Sequence, residues 1–309
     1  MDPASATISA VSLATAVSGT FTSIVQCLEY VELGRNFGKD FNKSQVKLEA
    51  LKLRLSRWGT SVGILVNSSS VQIPSLSTSA QEVEQVEELL AVILDDIQTV
   101  QHKSSRYAGL PSSRQGDKQA LKVFDVNDLD PMHALVVQKA AATFKKRVRQ
   151  VGWGKKTKWA VFEKKQFDSL LSDISENTSN LEQLFPASRK AQMQLSSIEV
   201  EEIRGADAGD GEQTLAVLGE AIGRDSEHGD KFLEQAIDEA MKREATHVYL
   251  RTEAREDAKL DQGDLIHKGF KGEIPKGRRG HTYGTTILSG RATGRQGDTF
   301  GSKPDNDPF

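Results

Sequence analysis

The sequence near the C-terminus contains two similar copies of one segment, and this repeat limits the folds that the chain can adopt. Residues 247–264 align with residues 281–298 at a constant offset of 34 residues and without a gap. Seven of the 18 aligned positions are identical, whereas unrelated segments of average composition would share roughly one. The identical pairs are His247 and His281, Tyr249 and Tyr283, Thr252 and Thr286, Ala258 and Ala292, Gln262 and Gln296, Gly263 and Gly297, and Asp264 and Asp298. A period of this size is typical of architectures built from stacked copies.

The positions that differ between the copies point to β-structure. Asp257 aligns with Arg291, and Asp261 aligns with Arg295. If the copies stack as rungs, aligned residues lie about 4.8 Å apart, where opposite charges attract and like charges would repel. The aligned tyrosines and glutamines can stack in the same way, and the glycine before the last Asp of each copy can turn the chain. The glycines of the second copy disfavour a helix, since each costs about 1 kcal/mol relative to Ala.

These features predict a two-copy β-solenoid that stacks between chains. The alternative is a flexible tail whose two copies resemble each other by chance. From Thr246 to Phe309 there are ten glycines in 64 residues and few aliphatic side chains, so an ordinary core cannot form there. We expect the domain boundary between about residues 204 and 230.

The N-terminal region carries apolar residues at helical spacing, which predicts an all-α bundle. We expect a loop over 67–79 and another over 106–119, and Asp40 is suited to cap the helix that follows it. Trp58 and Trp159 lie between apolar helix positions and are expected to be buried. The predicted helices run over residues 41–59, 80–103, 131–151, 167–185, 188–203, 214–222 and 231–243.

The segment from Ala4 to Leu28 contains no charged residue over 25 positions, and a bilayer core needs about 20. Many Ser and Thr residues interrupt it, so it is only weakly apolar. One interpretation is an amphipathic first helix packed in the resting bundle; the other is that the same helix can leave the bundle and enter a membrane. Its apolar positions, which we take as the membrane segment, are Ile8, Val11, Leu13, Val17, Phe21, Ile24, Val25 and Leu28.

No constellation of catalytic residues can be recognised. The chain lacks a phosphate-binding loop and a His-Glu-x-x-His helix, and its histidines show no ligand spacing. We therefore expect no enzyme activity, no cofactor and no metal. Cys27 is the only cysteine, which excludes an internal disulfide framework. The net charge of −3 does not favour nucleic acid as a partner.

One charged stretch stands out from this background. Between Lys139 and Lys165 there are ten Lys and Arg residues and a single acid, with Trp153 and Trp159 among them. It is either a solvated helix face or a surface for anionic lipid headgroups, which attract basic residues by about 1 kcal/mol each near the surface.

Several motifs together resemble the HeLo domain and the prion-forming domain of the fungal HET-S/HET-s family. In the N-terminal region the resemblance lies in the segments 33–41, 53–59, 156–160 and 181–186. In the tail it lies in Thr252-Glu-Ala-Arg-Glu256, in the endings of both repeats and in the aromatic Phe300. The HeLo motif positions are Gly34, Arg35, Phe37, Gly38, Asp40, Arg57, Trp58 and Trp159.

The resemblance implies an α-helical N-terminal domain over residues 1–225, followed by a helical linker over 226–245. It implies a tail over 246–309, with repeats at 247–266 and 281–300, that is disordered in the monomer and becomes a two-repeat β-solenoid amyloid on assembly. It also implies a cytoplasmic cell-death effector acting in heterokaryon incompatibility. Its tail would be templated by itself or by a homologous amyloid-motif protein, and its N-terminal segment would then permeabilise the cell membrane through contact with lipids. The alternative is a non-toxic helical adaptor whose tail recruits a partner by β-augmentation.

Overall fold

A computed structural model describes most of the N-terminal region and short stretches of the tail. The described residues are 8–65, 71–108, 123, 126–149, 158–205, 211–222, 227–244, 248–249, 252–254, 257, 259–262, 265–266, 282–283, 286–288, 291, 293–296 and 299–300. The chain divides into two compact units, Met1–Ile237 and Asp238–Phe309. The domain limits expected from the sequence stay predictions.

The first unit is built from helices, as the apolar periodicity predicts. In chain order the helices are α1 (Ala10–Glu29), α2 (Phe41–Ser61), α3 (Ala80–Ala108), α4 (Pro131–Val148), α5 (Lys164–Leu184), α6 (Arg189–Arg204), α7 (Gly211–Ala221) and α8 (Lys231–Glu244), the last of which continues into the second unit. Short 3-10 turns lie at Arg35–Asp40, Val126–Asp128 and Pro186–Ser188.

Helix α2 is the centre of this unit. Every residue from Leu48 to Val62 is buried, so the helix is enclosed around its whole circumference, as expected of a core helix and not of an amphipathic surface helix. On one side α2 packs against α1 and α5, which both contact α3. On the other side it packs against α4, α6 and α7, which also contact one another.

Two short strand pairs connect parts of the helical unit. Strand β1 (Ile8–Ser9) runs antiparallel to β3 (Ser77–Thr78), and β2 (Val31–Leu33) runs parallel to β4 (Trp159–Val161). The expectation that Ile8 begins the apolar helix stripe is therefore wrong, because its backbone pairs with Thr78 in an extended conformation. The expected loop over 67–79 overlaps strand β3 at its end. The expected loop over 106–119 overlaps the end of α3, and residues 109–119 lie outside the described residues.

The start of α2 also differs from the sequence-based expectation. Asp40 is the residue that precedes α2, but its side chain makes no capping hydrogen bond. The 3-10 turn Arg35–Asp40 runs directly into the helix, and the Phe41 N–H donates to the Gly38 carbonyl. The preceding turn thus supplies an acceptor for the first N–H of α2, which is not one of the groups that an Asp40 side-chain cap would bind. At α4 the expectation is confirmed, since Pro131 begins the helix and Asp130 caps it by accepting from the His133 N–H over 3.1 Å.

The described residues of the second unit form eight short strands that pair across the two repeats. Strands β5 (Val248–Tyr249), β6 (Thr252–Ala254), β7 (Lys259–Gln262) and β8 (Leu265–Ile266) come from the first copy. They run parallel to β9 (Thr282–Tyr283), β10 (Thr286–Leu288), β11 (Thr293–Gln296) and β12 (Thr299–Phe300), respectively. Each pair keeps the 34-residue offset of the sequence repeat.

Candidate functional site

The apolar stripe of α1 lies in the core of the first unit. Phe21 packs against Trp58 of α2 with ring centroids 5.8 Å apart and planes inclined by 46°. A Cβ atom at Gly59 would come within 2.4 Å of the Phe21 ring, so α1 approaches α2 as closely as a glycine allows. The stripe positions that are at most 1% exposed are Leu13, Val17, Phe21, Ile24, Val25 and Leu28; the side chains of Ile8 and Val11 lie outside the described residues.

The opposite face of α1 reaches solvent. Ala16 and Ser18 are exposed, and Ser23 satisfies its hydroxyl by donating to the Gly19 carbonyl over 3.0 Å. Among the described helices, none combines the length and the apolar character needed to cross a bilayer.

The C-terminal end of α1 is fastened to β4. The Trp159 side chain donates from Nε1 to the Cys27 carbonyl over 2.9 Å, and its backbone N–H donates to the Tyr30 carbonyl over 3.1 Å. Trp159 is 8% exposed, so its expected burial is confirmed, but its expected position in a helix is wrong, because it lies in strand β4. Cys27 is half-buried, and burial raises the pKa of its thiol.

The segment after β2, which begins at Gly34 and contains Gly38, forms the turn into α2. A Cβ atom at Gly34 would lie 2.4 Å from the Phe162 ring, which explains why glycine stands there. Phe37 is buried and meets Phe167 edge-on at 5.3 Å between centroids. Gly38 and Asp40 are exposed, and the side chain of Arg35 lies outside the described residues.

Trp58 and Arg57 stand side by side on α2, and both are fully buried. Trp58 donates from Nε1 to the Leu181 carbonyl of α5 over 3.2 Å, which confirms its expected place in the core. Arg57 places one guanidinium nitrogen 2.5 Å from Glu199 of α6 and the other 2.5 Å from both carboxylate oxygens of Asp230.

These contacts form a buried ion-pair network, which we define as Arg57, Arg147, Glu199 and Asp230. Glu199 also accepts from Arg147 of α4, and its side chain, like that of Arg57, is fully buried. Burial alone would lower the pKa of Arg57, but the charges of Asp230 and Glu199 outweigh it and raise that pKa. Burial would raise the pKa of Asp230, yet the charges of Arg57 and Arg54 hold it below its ordinary value. The opposite charges of Arg57 and Asp230 thus favour the ionised form of each other.

A second buried arginine lies one turn earlier on α2. Arg54 donates to Glu182 over 2.6 Å, to Ser179 over 2.9 Å and to the His228 carbonyl over 2.7 Å. Together the two arginines tie α2 to α5, to α6 and to the segment that precedes α8. Arg57 is one of the motif positions recognised in the sequence, but its partners are not predicted there. An arginine among core positions such as Leu53 and Leu55 is the signal that buried acids must exist elsewhere.

In the tail, the backbone register brings equivalent repeat positions together. Tyr249 pairs with Tyr283, Thr252 with Thr286, Asp261 with Arg295, Gln262 with Gln296, and Ile266 with Phe300. The repeat positions outside the described residues are His247, Ala258, Gly263, Asp264, His281, Ala292, Gly297 and Asp298.

Asp257 and Arg291 share an unusual backbone conformation. Both are exposed, and their φ angles are 57° and 41°, in the left-handed region that Asp visits more readily than Arg does. The sequence predicts chain turns at Gly263 and Gly297, but it does not predict the left-handed conformation of Asp257 and Arg291. Their equal conformation at the same point of both copies supports one backbone course for the two rungs.

Comparison with known proteins places this arrangement in a family. The family model HeLo, described as "Prion-inhibition and propagation", matches residues 7–208. The chain belongs to the HeLo family. The matched HeLo region contains α1 to α6 complete, including the buried stripe of α1 and three of the four residues of the ion-pair network.

Relatives extend the HeLo similarity beyond that region. Heterokaryon incompatibility protein s of Podospora anserina is 29% identical over 250 residues, covering 81% of this chain and 80% of the relative. Heterokaryon incompatibility protein S of the same fungus is 27% identical over 289 residues, covering 93% and 94% of the two chains. The second alignment is long enough to include part of the tail.

Two solved HeLo structures are similar in fold. The HET-S N-terminal domain superposes with a TM-score of 0.60 at 27% identity, covering 74% of this chain and 94% of that one. A variant of the HET-s N-terminal domain gives a TM-score of 0.60 at 29% identity, covering 73% and 98%. The helical fold expected for the N-terminal region is thereby confirmed.

Proposed function

We propose that this chain is a fungal cell-death effector of the heterokaryon incompatibility type. The observation that carries the proposal is the presence, in one HeLo chain, of two features: a helix held in the core that has no charged residue before Glu29, and a tail with two copies in parallel register. The incompatibility proteins named above are similar over most of the chain, which supports the same biological setting. The proposed activity is permeabilisation of a membrane and not catalysis.

The tail is the proposed trigger. Each described tail strand pairs with a single strand of the other copy, so both rungs keep an outer backbone edge. An open edge can template another chain of matching pattern. The partner is therefore a second copy or a homologous protein whose tail carries a similar repeat. The assembled state is the two-repeat β-solenoid amyloid, and we propose that the free tail becomes ordered through this templating.

The N-terminal helix is the proposed effector. In the resting domain the apolar stripe of α1 is buried, and α1 packs against α2 and α3. Once the domain is disturbed, this stripe loses its cover, and a lipid bilayer is an alternative apolar environment. The chain would then move from the cytoplasm to the cell membrane. Because the apolar stripe of α1 is buried in the resting domain, exposure of α1 must precede insertion.

A second function, that of a non-toxic adaptor, is supported by the paired strands of the two tail copies. Its tail would recruit a partner by adding strands to an open edge, while the helical domain would stay folded.

Co-expression separates the two functions. The full chain is produced in fungal cells with and without pre-formed fibrils of residues 246–309, and cell death is scored together with entry of a membrane-impermeant dye. An effector kills and admits dye only when the fibrils are present. Recruitment of the chain to fibrils in living, dye-excluding cells would instead establish the adaptor.

A further inference from the structure

Asp230 has two structural roles at the start of α8. It precedes the first residue of the helix and accepts from the Leu233 N–H over 3.1 Å, which is the geometry of a helix cap. The same carboxylate receives Arg57 of α2 through both oxygens at 2.5 Å. One buried side chain therefore both starts α8 and attaches it to the central helix.

Asp230 is one of the two carboxylates that compensate the buried positive charge of Arg57. Within the buried ion-pair network two guanidinium groups, Arg57 and Arg147, face two carboxylates, Glu199 and Asp230. If Asp230 withdraws, both arginines share Glu199 in a site where the Arg57 and Glu199 side chains are fully buried. An uncompensated charge in such a place is strongly unfavourable, so α2 must shift or admit water around Arg57.

The neighbours of Arg57 on α2 contact the N-terminal helix. Successive residues of an α-helix are about 100° apart around its axis, so Arg57 and Gly59 point to nearly opposite sides. Gly59 lies under the Phe21 ring, and Trp58 packs on the same ring at 5.8 Å. Three consecutive residues of α2 thus join the start of α8 to the middle of α1.

We propose that the Arg57–Asp230 pair is a latch through which α8 keeps α1 in the core. Withdrawal of Asp230 displaces the Arg57–Trp58–Gly59 turn of α2, and Phe21 loses the surface on which it packs. The latch links α8, which precedes the tail repeats in the chain, with α1, which we propose to act on membranes. Its biological meaning rests on the proposed function, whereas its physical content concerns the monomer alone.

Hydrogen exchange of the full-length monomer tests the latch without fibrils or lipid. In Asp230→Asn, the amides of α1 should exchange at least tenfold faster than in the unchanged chain, and those of residues 131–140 in α4 should change far less. Glu220→Gln is the matched control, because it removes an exposed pair with Lys43 and should leave α1 unchanged. Faster exchange confined to α8, or an equal increase in α1 and α4, would overturn the latch.

A second pair of variants keeps the test decisive if Asp230→Asn fails to fold. Phe21→Ala perturbs the other end, and because coupling between two sites is reciprocal, the amides of residues 231–237 should then exchange faster. Leu13→Ala, also buried on α1 but two turns away, should not have this effect. Equal responses of residues 231–237 to both variants, or none to Phe21→Ala, would overturn the proposal. Loss of vesicle permeabilisation with intact coupling would instead contradict only the proposed function.

Discussion

Asp261 and Arg295 occupy the same position of two neighbouring parallel strands, β7 and β11. They are 34 residues apart in the sequence, and strand spacing sets their backbones about 4.8 Å apart. Opposite charges at such a position favour the paired register and disfavour registers that bring like charges together. Asp257 and Arg291 repeat the same exchange of sign at the left-handed turn of each copy.

The first prediction concerns these charges. Arg291→Asp aligns two acids in one rung pair, so fibril formation by the tail should slow, and the effect should be larger at low salt because screening is weaker. Thioflavin fluorescence over time measures it. Combining Arg291→Asp with Asp257→Arg restores opposite charges and should recover the rate. Unchanged fibril growth in the single variant, with no effect of the second change, would rule out the stacked register.

The second prediction concerns Trp159, which joins β4 to the end of α1. Trp159→Ala removes a large buried ring and its hydrogen bond to the Cys27 carbonyl, and should lower the free energy of unfolding by about 3–5 kcal/mol. Chemical denaturation of the full chain measures the loss. Val92→Ala is the control, because Val92 is 47% exposed and should change stability little. A cooperative transition of Trp159→Ala at unchanged denaturant concentration would contradict the assigned contact.

The third prediction uses two glycines in helices. Gly59→Ala drives a Cβ atom into the Phe21 ring, and overpacking of this kind costs about 1–3 kcal/mol. Gly19→Ala, in the middle of α1, meets nothing within 4 Å and should stabilise the helix by roughly 0.5–1 kcal/mol. Thermal unfolding of the two variants therefore shifts in opposite directions. The same sign for both would show that α1 and α2 do not approach as described.

Much of this fold follows from the sequence, and the exceptions have identifiable causes. Apolar periodicity placed α2, α3 and α5, since each must bury a stripe on its neighbours. It could not show that α2 is enclosed on all sides, because Arg54 and Arg57 can be buried only where acids face them. Those partners, Glu182, Glu199 and Asp230, are more than 100 residues away, so the sequence around the arginines does not show which acids they are.

In the tail, the strand register could be predicted, because a constant offset of 34 residues fixes which positions of the two copies align. The turns could not, since Asp257 and Arg291 adopt a left-handed conformation that propensity assigns first to glycine. The β1 and β3 pairing was missed for another reason: each strand has two residues, too few for an alternating pattern to be recognised.

The fourth prediction concerns acid stability. The pKa of Asp230 is lower in the folded chain than its ordinary value, so its ion pair stabilises the fold above the unfolded-state pKa, near 4. That stability is lost as the pH falls through the lower folded-state value. Asp230→Asn should cost about 3–5 kcal/mol at neutral pH, as expected when one partner of a buried pair is removed, and much less in strong acid.

Denaturation at a series of pH values compares Asp230→Asn with the unchanged chain. The stability difference between them should shrink steadily below pH of about 4. Glu87→Gln on the exposed face of α3 serves as the control and should give a difference that is small throughout. A difference for Asp230→Asn that is independent of pH would mean that its ion pair contributes no titrating stability.

The central claim, that α1 enters the membrane after the tail assembles, is tested most directly by a lysine on the exposed face of this helix. Ala16 is exposed in the resting domain, so Ala16→Lys leaves the bundle folded, while a lysine within an inserted helix costs about 2.5–3.5 kcal/mol. Ala142→Lys, on the exposed side of α4, adds the same charge away from α1. Folding of both variants is checked first by thermal unfolding.

The measurement is release of a trapped dye from anionic vesicles by the folded full chain, seeded with fibrils of residues 246–309. The account predicts rapid release by the unchanged chain and by Ala142→Lys. It predicts strongly reduced release by Ala16→Lys, although the tail of that variant still converts to fibrils. Release by Ala16→Lys as fast as that of Ala142→Lys would contradict the role of α1 as the membrane-entering segment.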